Sequence, residues 1–261
     1  MKQFSLIPFQ KASGMTWLLM VMLLMFSPSA TWASEDQDDW SAMLERVDNI
    51  RFPEGGYQVD VTITTTEQGG EPDEREYRII SKGNSHTLVQ TMYPEDERGQ
   101  ILLMRGKELW AFLPSLSQPV RLPLSQRLTG QVANGDLARA GLSGDYEASL
   151  ARREKIDGIE YAVLQLSAAD NWVTYRKALL WVHPKSSRPL KAEYYSASGR
   201  LLKTCHFQNY RNMSGAMRPT KLVIEDALRP GNRSVLEYRD MVERDLPDKI
   251  FTKDYLKKLA R

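Results

Sequence analysis

Cysteine occurs once in this 261-residue chain, at Cys205, and histidine three times, at His86, His183 and His206. A single cysteine forms no internal disulfide, so burial alone must hold the fold, even in an oxidising compartment. Neither Cys-x-x-Cys nor His-x-x-x-His is present, which removes the common zinc spacings. Cys205 and His206 are adjacent in an extended segment, so their side chains point to opposite faces and cannot meet as nucleophile and base. Cys205 reads as a small core residue. A Gly-rich phosphate loop and a Gly-x-Ser-x-Gly elbow are both missing. Glu95-Asp96-Glu97 reads as a solvated turn, and Glu225-Asp226 splits between the two faces of a strand. The expectation is a protein that is not an enzyme, with no catalytic residues, no metal and no cofactor.

Long apolar runs are scarce as well. Residues 17–26 are uncharged and apolar but number ten, against the roughly 20 that span a bilayer. Lys2 and Lys11 precede this run, and Ser27-Pro28 and Thr31-Trp32-Ala33 follow it. That order predicts a secretory signal peptide over residues 1–33, cut after Ala33; the competing reading is an uncleaved anchor. No cysteine stands at the junction, so no lipid anchor is expected there. The mature chain would then be one domain, 34–261, exported to a compartment such as the bacterial periplasm. The formal net charge is +2, and Lys2 and Lys11 supply that excess, so the mature chain is close to neutral. A nucleic-acid binder would carry a concentrated positive field, so nucleic acid is not an expected partner.

What is plentiful is β-pattern. Tyr57, Val59, Val61 and Ile63 alternate with Gln58, Asp60, Thr62 and Thr64, which predicts a half-buried strand. Further strands are expected at 75–82, 85–92, 99–105, 108–113, 145–153, 160–167, 173–183, 189–196, 200–211, 219–227 and 232–241. Turn residues such as Lys82-Gly83-Asn84, Asp157-Gly158 and Ser198-Gly199 separate them. Short turns between close strands imply antiparallel neighbours and leave no room for crossover helices. Residues 109–113 and 178–182 are apolar on both faces, so something must cover the second face of each. A packed helix or a ligand cavity would serve.

Three helices are expected. Trp40, Met43, Leu44, Val47 and Ile50 form an amphipathic stripe within 35–50. Leu124, Leu128 and Val132 recur at fourfold spacing within 123–140, where Gly130 and Asn134-Gly135 weaken the helix. Thr252 is a suitable N-cap, Phe251 and Leu256 stand at the two ends of a hydrophobic staple, and Lys257 and Lys258 suit the last turn.

Residues 94–102 with 109–114, then 144–150, 178–183, 188–190, 195–199 and 246–252, resemble in order and spacing the outer-membrane lipoprotein-sorting family, whose fold is called LolA-like. The resemblance covers most of 50–256. It implies a mainly β (α+β) fold: a curved, incompletely closed antiparallel half-barrel, with helices closing an apolar concave face. It implies a periplasmic carrier or chaperone for a lipid or lipidated protein, bound through acyl chains for transfer toward the outer membrane. Membrane contact would be transient and the protein a monomer. Val59, Val61, Ile63, Trp110, Phe112, Leu124, Leu128, Val132, Tyr146 and Trp181 are then the candidate cavity residues, with 124–132 as a removable plug. The bland alternative leaves Trp110, Phe112 and Trp181 as plain core. The arginine with which known carriers latch their lid is not assignable from the sequence. The other functional reading is an accessory or sensor protein that binds an inner-membrane exporter or a signalling partner.

Overall fold

A computed structural model describes residues 39–259; the segment read as an export signal lies outside it, as do the side chains of Lys257 and Lys258. Helix α1 (Trp40–Arg51) begins where Asp39 accepts hydrogen bonds from the amides of Ser41 (3.1 Å) and Ala42 (3.0 Å). Its stripe of Met43, Leu44 and Val47 is buried. Its C-terminal carbonyls are met by a strand arginine: Arg218 Nη1 donates to Asn49 O (2.6 Å) and Ile50 O (3.2 Å).

The alternating segments then lay down β1 (Gly56–Thr66), β2 (Asp73–Lys82), β3 (His86–Tyr93), β4 (Ile101–Arg105), β5 (Glu108–Phe112) and β6 (Val120–Leu122). A crossing segment holds the short β7 (Arg127–Thr129), β8 (Val132–Ala133) and α2 (Asn134–Ala138). The chain returns through β9 (Tyr146–Ile156), β10 (Ile159–Ala168), β11 (Lys177–Val182), β12 (Pro189–Tyr195), β13 (Leu201–Met213), β14 (Ala216–Asp226) and β15 (Arg233–Glu243). A 3₁₀ turn and α3 (Lys253–Leu259) end it.

Apart from β7 and β8, which pair with each other, these strands form one antiparallel sheet in the order β6-β5-β4-β3-β2-β1-β15-β14-β13-β12-β11-β10-β9. The chain walks from the centre to one edge, crosses, and walks back from the other edge to close β15 against β1. The edge strands β6 and β9 do not pair, so the sheet is not a barrel. It is strongly curled all the same. In a flat sheet, the strand spacing of about 4.8 Å would leave the β4–β5 and β10–β11 turns roughly 40 Å apart. Here Lys107 Nζ of the first lies 2.6 Å from Asp170 Oδ2 of the second.

Curling gives the sheet an inner face, on which α1 and the crossing segment pack. The inner side chains join one large cluster that includes Val59, Val61 and Ile63 of β1, Leu164 of β10, Leu180 of β11 and Phe207 of β13. On the outer face, Leu88, Ile101, Leu103 and Phe112 are covered by Phe251 and Leu256 of the C-terminal turn and helix. The amide of Tyr255 donates to Thr252 Oγ1 (3.3 Å), and Phe251 and Leu256 are fully buried together, as the cap and staple pattern requires.

The middle helix expected over 123–140 is absent. Leu128 and Val132 sit on a β-hairpin, Leu124 lies in the turn before it, and Asn134-Gly135, read as weakening the helix, are the first two residues of the five-residue α2. The reason is tertiary. Gly130 turns the hairpin at φ +48°, and a Cβ there would lie 2.2 Å from Thr65 Oγ1 and 2.4 Å from Ser234 Oγ. The Gln131 amide donates to Ser234 Oγ (2.9 Å) and the Gln131 carbonyl accepts from Lys203 Nζ (2.9 Å). The surrounding sheet thus satisfies backbone groups that a helix would have paired internally. The strand expected from 173 starts only at Lys177, because 169–176 is the loop that reaches toward Lys107.

Candidate functional site

The crossing segment, residues 123–145, fills the inner face and divides it. Residues 139–142 and 145–146 line one side of a cavity of about 40 Å³, together with Arg51, Tyr175, Tyr194, Cys205 and Tyr238. Leu137, Ala140, Gly141 and Ser143 also line a second cavity of about 210 Å³, beside Asp48, Phe52, Tyr57 and Asn84. Residues 137–143 are therefore a partition between the two spaces. The first holds no more than a few water molecules. A drug-sized ligand occupies some 300–1,000 Å³, so no such ligand fits in either of these two spaces while the segment is in place.

Of the ten candidate cavity residues, Val59, Val61, Ile63, Leu124, Leu128, Val132 and Tyr146 come together in the inner cluster, and Tyr146 lines the smaller cavity. Trp110 and Phe112 do not join them. They belong to the outer-face cluster, where Phe251 and Leu256 lie and Lys253 Nζ stands 3.0 Å from the centre of the Trp110 ring. Trp181 is also on the outer face, with Tyr161 and Val163, beneath Lys191 (3.9 Å to the ring centre) and Arg152 (5.3 Å). In both strands the alternate residues, Leu109 and Leu180, face inward. The second apolar face of 109–113 is covered by α3 and that of 178–182 by basic side chains.

Polar residues missed in the sequence hold the segment down. Arg51 is 8% exposed; its Nη1 donates to Ala140 O (2.7 Å), and its guanidinium rests over the Phe52 (5.4 Å) and Phe207 (5.5 Å) rings. Burial disfavours its charge, but Asp48, 3.5 Å away, and the surrounding phenols and thiol outweigh that and raise its pKa. Asp48 Oδ2 accepts from the amides of Leu142 (2.8 Å) and Ser143 (2.7 Å) and from Ser143 Oγ (2.7 Å).

Arg139 makes a fork to Asp145 (2.5 and 2.6 Å), donates to the carbonyls of Asn84 (2.6 Å) and Gly106 (3.0 Å), and stacks 4.0 Å from the Trp172 ring centre. Lys203 Nζ bonds Asp136 Oδ2 (2.6 Å) and Gln131 O (2.9 Å). Tyr175 OH donates to the same Asp136 carboxylate (3.0 Å), and Tyr146 OH donates to Tyr175 O (2.9 Å). Burial pushes the Cys205 thiol up to about 12 and the Tyr175 and Tyr194 phenols well above their usual range. No group of three or more His, Cys, Asp or Glu placed to hold a metal occurs among the described residues.

One signal for this network was available. Lys203, Cys205 and Phe207 share one face of β13 and all three are buried, so a lysine occupies an inward position of an otherwise apolar series. The arginines gave no such signal: Asp48 and Asp145 stand close to them in sequence as any surface pair would, and the carbonyls they also bind, Ala140 O, Asn84 O and Gly106 O, are far away in sequence.

A curled, open antiparallel sheet whose interior is occupied by its own crossing segment is a filled half-barrel. The chain belongs to the LolA superfamily. It is 55% identical to a LolA superfamily protein from Nitrosomonas europaea, with a TM-score of 0.80, over 83% of this chain and 98% of that one. A family model described as an uncharacterized protein matches residues 83–258. The fold also recurs in an outer membrane lipoprotein-sorting protein domain from Vibrio parahaemolyticus (22% identity, TM-score 0.73, 85% of this chain and 100% of that one). A DUF1329 family protein from Desulfovibrio piger shares it too (21% identity, TM-score 0.71, 83% of this chain and 97% of that one). No curated protein matches the chain. No described helix is long and apolar enough to cross a membrane.

Proposed function

We propose that this protein is a carrier that shelters an acyl chain of a lipid or lipidated protein in the half-barrel. The observation that supports this most is the filling of the inner face. Residues 123–145 lie across it, attached by side-chain bonds from Arg51, Asp48, Asn84 and Lys203 and by no ladder to the large sheet. Such contacts exchange one by one, whereas a central strand would have to break its ladder on both sides. Displacing the segment would merge the two cavities and uncover the apolar wall around Val59, Val61 and Ile63. Burying an acyl chain gains about 0.8 kcal/mol per CH₂, so a chain of ~16 carbons gains up to ~12 kcal/mol gross. Release into water would be correspondingly slow, so delivery requires a membrane or acceptor protein offering similar burial.

In the same reading, residues 1–33 export the chain to the periplasm and are removed, and 34–261 acts as one domain, with transfer directed to the outer membrane. Hydrogen exchange tests the displacement. Amides of 124–140 should exchange faster than those of 57–65 without ligand and become protected when palmitate is added, and Leu128→Glu should weaken that binding. Protection of 124–140 equal to that of 57–65 in the free protein, or absence of any acyl binding at micromolar concentration, would remove the carrier reading.

A further inference from the structure

Lys203 is 6% exposed and points into the half-barrel from the middle of an apolar series. Its two acceptors, Asp136 Oδ2 (2.6 Å) and Gln131 O (2.9 Å), both belong to the crossing segment. Asp226 lies opposite Lys203 in the β13–β14 register, but Asp226 Oδ1 is taken by the amides of Leu228 (2.8 Å) and Arg229 (3.1 Å). Tyr175 is in the same position as Lys203: its hydroxyl bonds Asp136, while its ring stays fixed against Tyr194 (4.4 Å between centroids) and its carbonyl accepts from Tyr146 OH. When the segment withdraws, an ammonium and a phenol that converged on one carboxylate oxygen remain in the chamber without that anion, Lys203 Nζ keeping only the faces of the Tyr175 (4.8 Å) and Tyr194 (5.5 Å) rings. A buried cation without a counter-charge is strongly unfavourable, so a ligand that restores the anion is favoured over one that does not.

We propose that the chamber selects acyl ligands bearing an anionic oxygen group, carboxylate or phosphate, which takes the place of Asp136 on Lys203 Nζ and Tyr175 OH. Asp136 is then the protein's own stand-in for the ligand, so opening and loading are one exchange: the segment's carboxylate leaves as the ligand's anion arrives. This inference rests on the carrier reading and adds the head group to it. The site is a charge-assisted pair of donors at fixed positions, which discriminates between a charged and a neutral oxygen group more sharply than an apolar wall discriminates between chain lengths.

The test is displacement of a neutral fluorescent apolar probe, N-phenyl-1-naphthylamine, from the purified protein below micelle-forming concentrations. Palmitate, hexadecyl phosphate and hexadecanol are compared, with inorganic phosphate as a control lacking a chain. Palmitate or hexadecyl phosphate should displace the probe at roughly tenfold lower concentration than hexadecanol or better. The preference between the two acids identifies the head group. Lys203→Met should bring the acid-to-alcohol ratio close to one, Tyr175→Phe should reduce it, and Asp136→Asn should keep it. If Lys203→Met does not fold, the Tyr175→Phe ratio decides. Equal displacement by hexadecanol and both acids, or a ratio that survives loss of Lys203, overturns the proposal and leaves the carrier reading standing. Displacement by none of the three overturns both.

Discussion

Replacing Arg139 by Met is the sharpest perturbation of the bonds that hold the crossing segment down. The side chain is 11% exposed and its partner Asp145 4%, so this pair is close to fully desolvated. The change removes the two-pronged bond to Asp145, both carbonyl bonds that tie the segment to the β2–β3 and β4–β5 turns, and the stack on Trp172. Breaking a buried pair from one side costs about 3–5 kcal/mol, because the other charge is left behind. Asn84 Nδ2, 3.3 Å from Asp145, offsets part of that, so about 3 kcal/mol is the expected loss. If the segment opens independently of the sheet, the loss falls on local opening. Each 1.4 kcal/mol is a factor of ten, so amides of 134–145 should exchange roughly a hundredfold faster. Amides of β1 and β15 should hardly change. Arg139→Lys keeps the charge but not the fork, and should lie nearer to the Met variant than to wild type. Hydrogen exchange read by mass spectrometry on peptides from both regions measures this directly. A uniform acceleration across 134–145, β1 and β15 would mean that segment and sheet unfold as one unit, and the argument for independent opening of the segment would fail.

Three other outcomes are expected. Cys205 binds its proton more tightly when folded, up to about pH 12, than when unfolded, so its contribution is intact below the ordinary thiol pKa of about 8.5 and is lost as pH rises from there to 12. Unfolding free energies from denaturant titrations should therefore fall above pH 8.5 by up to about 1.4 kcal/mol per pH unit, and Cys205→Ala should remove the first part of that slope. Gly130→Ala should lower the melting temperature by the equivalent of about 1–3 kcal/mol, since Thr65 and Ser234 already occupy the space its methyl needs. Phe112→Ala should cost about 3–5 kcal/mol in denaturant unfolding yet leave the probe's affinity unaltered, because Phe112 faces α3 and not the chamber; a changed affinity would return it to the cavity wall.

Strand alternation and turn residues were enough to place most of the strands and the antiparallel rhythm, because a half-buried strand must sort its side chains by face. The stripe of Met43, Leu44 and Val47 and the cap at Thr252 were equally local, since each depends on residues within a turn or two of each other. Parity within a strand was legible, but not which parity faces inward where both are apolar. Trp110 and Leu109 are equally hydrophobic, and only the docking of Phe251 and Leu256 assigns Trp110 to the outside. The fourfold spacing of Leu124, Leu128 and Val132 describes a helix as well as a hairpin. Ser234 and Lys203, distant in sequence, tip the balance by bonding the Gln131 backbone. Burial of Leu124 and Val132, and the partial burial of Leu128, was readable because it follows from side-chain chemistry. Their backbone conformation was not, because it was chosen by partners that only the closed sheet brings near.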